Sequence, residues 1–148
     1  MTAVEWLDAM SPWPRDGFGL DRMRALLAEL GDPQDAYPAI HVVGTNGKST
    51  ATVTIEQLLL AEGLSVGATI SPHVASWSER IRIDGHDISP AAFAAAVQRA
   101  AHAAELVDRT LPEDERATQF EVLTTAISLG QEGEIGRASC RERVLYTV

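Results

Sequence analysis

The chain has 148 residues, enough for one domain with its own core, and its 45% apolar and 22% charged content is ordinary for a globular fold. A formal charge of −9 argues against a general nucleic-acid-binding face, which needs a basic surface, while leaving room for a locally positive pocket. The single cysteine, Cys140, excludes an intrachain disulfide and a cysteine-based zinc site. No stretch approaches the ~20 apolar residues that cross a bilayer, and the opening segment carries Glu5 and Asp8 rather than a secretory pattern, so the expectation is a cytoplasmic protein with no membrane partner.

A short helix is predicted over 4–10, ended by Ser11, Pro12, Pro14 and Gly17. Leu20, Met23, Leu27 and Leu30 recur at helical spacing and predict a second helix over 20–30, with Gly31 as its stop and Asp32-Pro33 as its exit. The apolar run 39–43 reads as a buried strand on which His41 is structural. From Lys48 to Glu62 the pattern is helical, with Val53, Leu58 and Leu59 as the inner face and Gly63 as the stop. Residues 64–70 form the next strand candidate, and strand, glycine turn, helix, strand implies a parallel pair. Residues 71–79 read as an exposed loop. Asp84-Gly85 between 80–84 and 86–88 predicts a hairpin. Ser89-Pro90 is an N-cap and N1 pair for an alanine-rich helix to 107, and a last helix is predicted over 113–129.

The segment with the clearest chemistry is Gly44-Thr45-Asn46-Gly47-Lys48-Ser49-Thr50, where a strand feeds a glycine turn and a helix begins at the lysine. Unpaired N–H groups at that helix start, together with the helix dipole, suit the phosphates of ATP. Lys48 supplies a full positive charge for the β/γ-phosphates and is the candidate catalytic residue. A hydroxyl of Ser49 or Thr50 is placed to join a Mg2+ shell. The spacing is shorter than the standard phosphate-loop motif, since Val42 stands where that motif has its first glycine.

Thr45-Asn46-Gly47-Lys48 after Val-Gly resembles the Mur ligase superfamily, and specifically the folylpolyglutamate synthase/dihydrofolate synthase family. Phe18-Gly19-Leu20-Asp21-Arg22, Ser71-Pro72-His73, the stretch Glu79-Arg80-Ile81 and Phe120-Glu121 with the following Leu-Thr carry the same resemblance, over roughly 4–130. Departures are Ser49-Thr50 where the family usually has Gly then Ser or Thr, Val74 for leucine and Ser78 for asparagine. The resemblance implies an α/β fold: part of a P-loop ATPase domain of the Mur ligase type, with a mostly parallel central sheet, flanking helices and a small β-hairpin. It implies a two-step reaction, in which a carboxylate of dihydropteroate or folate takes the ATP γ-phosphoryl group as an acyl phosphate and L-glutamate then displaces phosphate. It also implies Ser71 near Mg2+, a substrate contact from Ser71, Pro72, His73 and Arg80, and a monomeric parent.

Other residues have plainer readings. Glu79 and Arg80 either close the loop over substrate or form a local ion pair, and Trp77 either covers a ring or pins the loop. The segment from Phe18 to Arg22 reads as architecture first, with an adenine contact as the alternative, Glu121 as a solvated helix acid, and His86 and His102 carry no signal. Rival functions are a cell-wall Mur ligase acting on a nucleotide-sugar peptide precursor and a non-catalytic nucleotide-binding module. Residues 134–148 break the resemblance. Where the family continues through a strand ending in a Val-Gly-Leu-Gly-Gly-Arg-like segment, Glu134 to Val144 can be back-translated into a string that resembles a sequencing-library adapter. The expected organisation is 1–133 as the N-terminal part of the ATP-binding domain and 134–148 as a non-native tail, an incomplete chain expected to be inactive as a ligase.

Overall fold

A computed structural model describes residues 2–12, 19–112, 115–135 and 142–147 of the chain, the last two stretches in part by backbone alone. The elements in order are α1 (Ala3–Asp8), α2 (Asp21–Glu29), β1 (Ala39–Val42), α3 (Lys48–Ala61), β2 (Ser65–Thr69), β3 (Ile81–Ile83), β4 (His86–Asp87), α4 (Pro90–Asp108), α5 (Gln119–Ile135) and β5 (Glu142–Thr147), with short 3-10 turns at Pro33–Ala36 and Trp77–Arg80. The chain divides into two compact units, Met1–Gln34 with Ala94–Leu129, and Asp35–Phe93 with Gly130–Val148. None of the described helices is long and apolar enough to cross a membrane.

The first unit is helical. Glycine stops α2 as the sequence predicts: Gly31 adopts φ +78°, its N–H reaches the Ala28 carbonyl at 3.1 Å, and Asp32 N–H reaches Leu27 at 2.9 Å. Along α4, Ala96, Val97, Ala100, Ala103, Ala104 and Val107 are buried at helical spacing, and on α5 Val122, Leu123, Ala126 and Leu129 are buried likewise. Helix α5 starts at Gln119 rather than at 113. Its start is set by Thr118 and Glu121, since the Glu121 carboxylate accepts from Thr118 N–H at 2.9 Å and from its hydroxyl at 2.8 Å. Glu121 is therefore buried, not solvated as expected, and it takes an ion pair from Arg22 Nε at 3.0 Å. Arg22 and Glu121 are architecture. Phe18 of the N-terminal signature lies outside the described residues.

The second unit holds a five-stranded sheet in the order β1-β5-β2-β3-β4. β1 and β2 each pair in parallel with β5, and β2-β3 and β3-β4 are antiparallel. β1 and β2 thus run parallel as predicted but are not neighbours, because β5 lies between them. Among the described residues β1 pairs only with β5, and Ala39, Ile40 and His41 are exposed, which corrects the expectation of a buried strand and a buried His41. The hairpin forms at Asp84-Gly85, whose φ values of +49° and +83° are those of a type I′ turn. The Asp84 carboxylate accepts from Val66 N–H at 2.7 Å and the Ser65 hydroxyl at 3.0 Å, fastening the turn to β2. Ser89 caps α4 through Ala92 N–H at 3.2 Å.

Helix α3 faces the sheet with Leu59 as predicted, but Leu58 is not on that face. Ile55, Leu59 and Leu60 pack against Val66 and Ala68, while Leu58 points outward at 63% exposure. Leu58 is two positions from Glu56, about 200° around the helix, and Glu56 faces inward. Glu56 is fully buried and lies 3.1 Å from Arg82 Nη2 on β3, and the same guanidinium donates to the Gly85 carbonyl at 2.8 Å. Removing one partner strands a buried charge. Glu56→Ala is expected to lower stability by about 3–5 kcal/mol in urea denaturation. Asp21→Ala, which removes only an exposed pair with Arg24, is expected to change it by less than about 1 kcal/mol.

Candidate functional site

The phosphate-loop candidate follows the C-terminal end of β1 and leads into α3. Gly47 is the N-cap residue of α3 at φ +74°, and no side chain caps the first turn. A Cβ on Gly47 would meet nothing within 4 Å, so the demand for glycine comes from the backbone angle and not from crowding. The N–H groups of the first turn are thereby left for an external acceptor, at the positive end of the helix dipole. Thr45, Asn46, Gly47, Ser49 and Thr50 are all exposed. Lys48 folds back so that Nζ donates to the Gly44 carbonyl at 2.7 Å, which holds the ammonium on the loop. At the far end, Gly63 at φ +77° stops α3, with Leu64 N–H bonded to Leu59 carbonyl at 3.1 Å.

The second loop, 71–80, follows the C-terminal end of β2. It contains a cis Ser71-Pro72 bond, and Ser71 and Pro72 are exposed. The Glu79 carboxylate accepts N–H bonds from Val74 at 2.7 Å and from Ala75 and Ser76 at 2.8 Å each, so the acid organises its own loop instead of pairing with Arg80. These backbone bonds, Val74 first, hold the Glu79 carboxyl below its ordinary value. Arg80 Nε donates to His73 Nδ1 at 2.9 Å, and its Cζ lies 4.8 Å from the centroid of the Trp77 ring, which also packs against His73 at 4.4 Å. Burial pulls Arg80 below the usual arginine value, and the group keeps its charge. The Thr69 hydroxyl donates to the Arg80 carbonyl at 2.6 Å and closes the loop onto β2.

Both loops leave the same end of the sheet. Val42 pairs with Thr147 and Thr69 with Tyr146, so β1 and β2 end one register step apart on either side of β5. Two strand spacings put their origins about 10 Å apart. The structure thus brings together on one edge the two segments that carry all the predicted site residues, with His73, Trp77 and Arg80 in direct contact. Among the described residues no group of three or more His, Cys, Asp or Glu is arranged to hold a metal ion. A metal here would rely on hydroxyls of Ser49, Thr50 or Ser71 and on the nucleotide's own phosphates, an arrangement that suits Mg2+, which keeps waters and few protein ligands.

No family model matches the chain. The dihydrofolate synthase/folylpolyglutamate synthase of Mycobacterium tuberculosis is 38% identical over 123 residues, covering 80% of this chain and 25% of the relative. The chain is a homologue of the folylpolyglutamate synthases. A solved folylpolyglutamate synthase (FPGS) complex with AMPPCP and folate superposes with a TM-score of 0.84 at 31% identity, covering 99% of this chain and 35% of that one. A bifunctional folylpolyglutamate synthase/dihydrofolate synthase with Mn, AMPPNP and L-glutamate bound superposes with a TM-score of 0.74 at 28% identity, covering 99% of this chain and 33% of that one. The chain therefore spans about a quarter to a third of the length of these synthases.

Sequence reasoning missed Glu56 and Arg82, which join the phosphate-loop helix to the hairpin, because a buried acid inside a helix has no pattern of its own. It also missed the cap at Thr118-Gln119-Phe120-Glu121, where the Ser/Thr-x-x-Glu spacing was present as a signal. Two outcomes are expected. Gly47→Ala forces an alanine to positive φ and is expected to lower stability by about 1–2 kcal/mol in urea denaturation. Because the folded Glu79 carboxyl lies below its ordinary value of 4.5, the loop is fully held above that pH and loosens as pH falls through the lower, folded value; loss of amide protection at 74–76 on acidification checks this.

Proposed function

We propose that the chain is the phosphate-binding part of an ATP-dependent ligase that adds L-glutamate to dihydropteroate and/or folate through an acyl phosphate. The observation that carries the reading is the uncapped start of α3, with Gly47 at φ +74° and Lys48 Nζ held on the loop at 2.7 Å from the Gly44 carbonyl. Gly44, Thr45, Asn46, Gly47, Lys48, Ser49 and Thr50 cradle the nucleotide phosphates, and Lys48 neutralises charge at the transferring group. Mg2+, held by Ser49 or Thr50 with Ser71, supplies further charge neutralisation when bound. The loop 71–80 presents Ser71, Pro72, His73 and Arg80 toward the acceptor substrate. Homology to folylpolyglutamate synthases supports the substrates, as do the solved complexes of such synthases with nucleotide analogues, folate, Mn and L-glutamate. A chain that uses ATP and carries no described membrane-crossing helix fits the cytoplasm.

The same proposal assigns 1–133 to the N-terminal part of a Mur-ligase-type ATP-binding domain and treats 134–148 as a non-native tail, on the adapter-like codons that its residues allow. Finding those codons in the intact genomic locus would refute that assignment. For the function itself, the complete parent gene product is expected to form ADP and phosphate only when both glutamate and a pteroate acceptor are present. The 148-residue chain is expected to bind AMPPCP without turnover, and Lys48→Ala is expected to abolish that binding. Product formation by the parent with a nucleotide-sugar acceptor but with no pteroate would sink the substrate assignment.

A further inference from the structure

The contact between Arg80 and His73 fixes more than the loop's shape. An arginine Nε carries a hydrogen and offers no lone pair, so at 2.9 Å it can only donate to Nδ1 of His73. Nδ1 is then the acceptor, and the single ring proton of His73 resides on Nε2. Two neighbours support the arrangement. Trp77 lies 4.4 Å from the His73 ring at a tilt of 43° and 4.8 Å from the Arg80 Cζ, so one indole braces both partners. Glu79, the acid within the loop, directs its carboxylate to the N–H groups of Val74, Ala75 and Ser76 and so does not compete for Nδ1. The adjoining Val74 is 94% exposed, which leaves the loop tip open to a ligand.

We infer that Arg80 is a positioning residue that holds His73 in the neutral Nε2–H tautomer, so that His73 meets the acceptor substrate as a hydrogen-bond donor to a ring nitrogen or carbonyl oxygen and not as a proton-abstracting base. The inference rests on the ligase reading for the identity of the ligand, and on the Arg80–His73 geometry for the tautomer. It also revises the role of Arg80: its Nε is engaged by His73 and acts on the substrate through that ring.

The test has two arms on the full chain. In isotope-labelled protein at neutral pH, long-range proton–nitrogen correlation spectra are expected to show His73 with Nε2 protonated and Nδ1 bare, and Arg80→Met is expected to give a mixture of tautomers with a displaced Nδ1 resonance. A proton on Nδ1 in the unaltered chain, or a His73 spectrum that Arg80→Met leaves unchanged, overturns the assignment. The second arm uses folic acid as probe. His73→Gln keeps a donor near the Nε2 position, whereas the shorter His73→Asn keeps its carbonyl acceptor near the Nδ1 position and reaches no donor to the Nε2 position. The Asn variant is expected to bind about tenfold more weakly than the Gln variant, the loss of one hydrogen bond. Equal binding by the two variants overturns the donor role. Folic acid bound by none of the chains, with the tautomer spectrum as expected, overturns the ligand reading of the loop while the Arg80–His73 assignment holds.

Discussion

One backbone angle governs the phosphate loop. With Gly47 at φ +74°, the chain turns from the end of β1 into α3 without a side-chain cap, and the first-turn N–H groups are directed outward. An L-residue with a Cβ would resist that angle, and a capping Ser or Asp would occupy the donors that a phosphate needs. The turn therefore gives up an ordinary stabilising device at the point where an anion is to bind. Lys48 reinforces the arrangement, since its bond to the Gly44 carbonyl keeps the ammonium on the loop.

A turn of this kind is useful only if its helix is held still, and α3 is anchored from its middle. Glu56, fully buried, meets Arg82 on β3, and Arg82 also binds the hairpin turn at Gly85. The first unit repeats the device with Glu121 and Arg22, where the acid additionally caps its own helix through Thr118. Buried pairs of this sort add little net stability compared with apolar packing but are costly to half-remove, so their effect is to make one register much better than its alternatives. For α3 that register sets how the lysine-bearing end meets the sheet edge.

Much of this was legible in the residues. Gly31, Gly63 and Asp84-Gly85 each declared a positive-φ stop or turn, and each adopts one, because glycine and aspartate at those places answer a purely local demand. The loops bearing Lys48 and His73 were placed correctly after strands for the same reason. What failed depended on tertiary context. His41 is exposed because β1 has a partner on one side only among the described residues, and the inner face of α3 includes Glu56, whose partner Arg82 lies on β3; the start of α5 is the exception, since its Thr118–Glu121 cap is local. Single residue types carry no record of such partners. The loop 71–80 lies between these cases: Glu79 and Arg80 were read as closing the loop over substrate or as a local ion pair, and each instead bonds a different partner within the loop.

The strand order carries a consequence for synthesis. β1 and β2 are complete before residue 70, but the position between them is filled by β5, roughly a hundred residues after β1. In this chain the strand that fills the gap lies within 134–148, the segment proposed to be non-native, so the pairing rests on backbone groups that any strand following α5 would offer. Until such a strand docks, the two strands that launch the functional loops have facing N–H and C=O groups without their partner strand, an open edge on a nascent chain. The alignment of the two loops thus depends on a strand that follows α5, and a product halted at the end of α4 would hold every predicted site residue without that strand between β1 and β2.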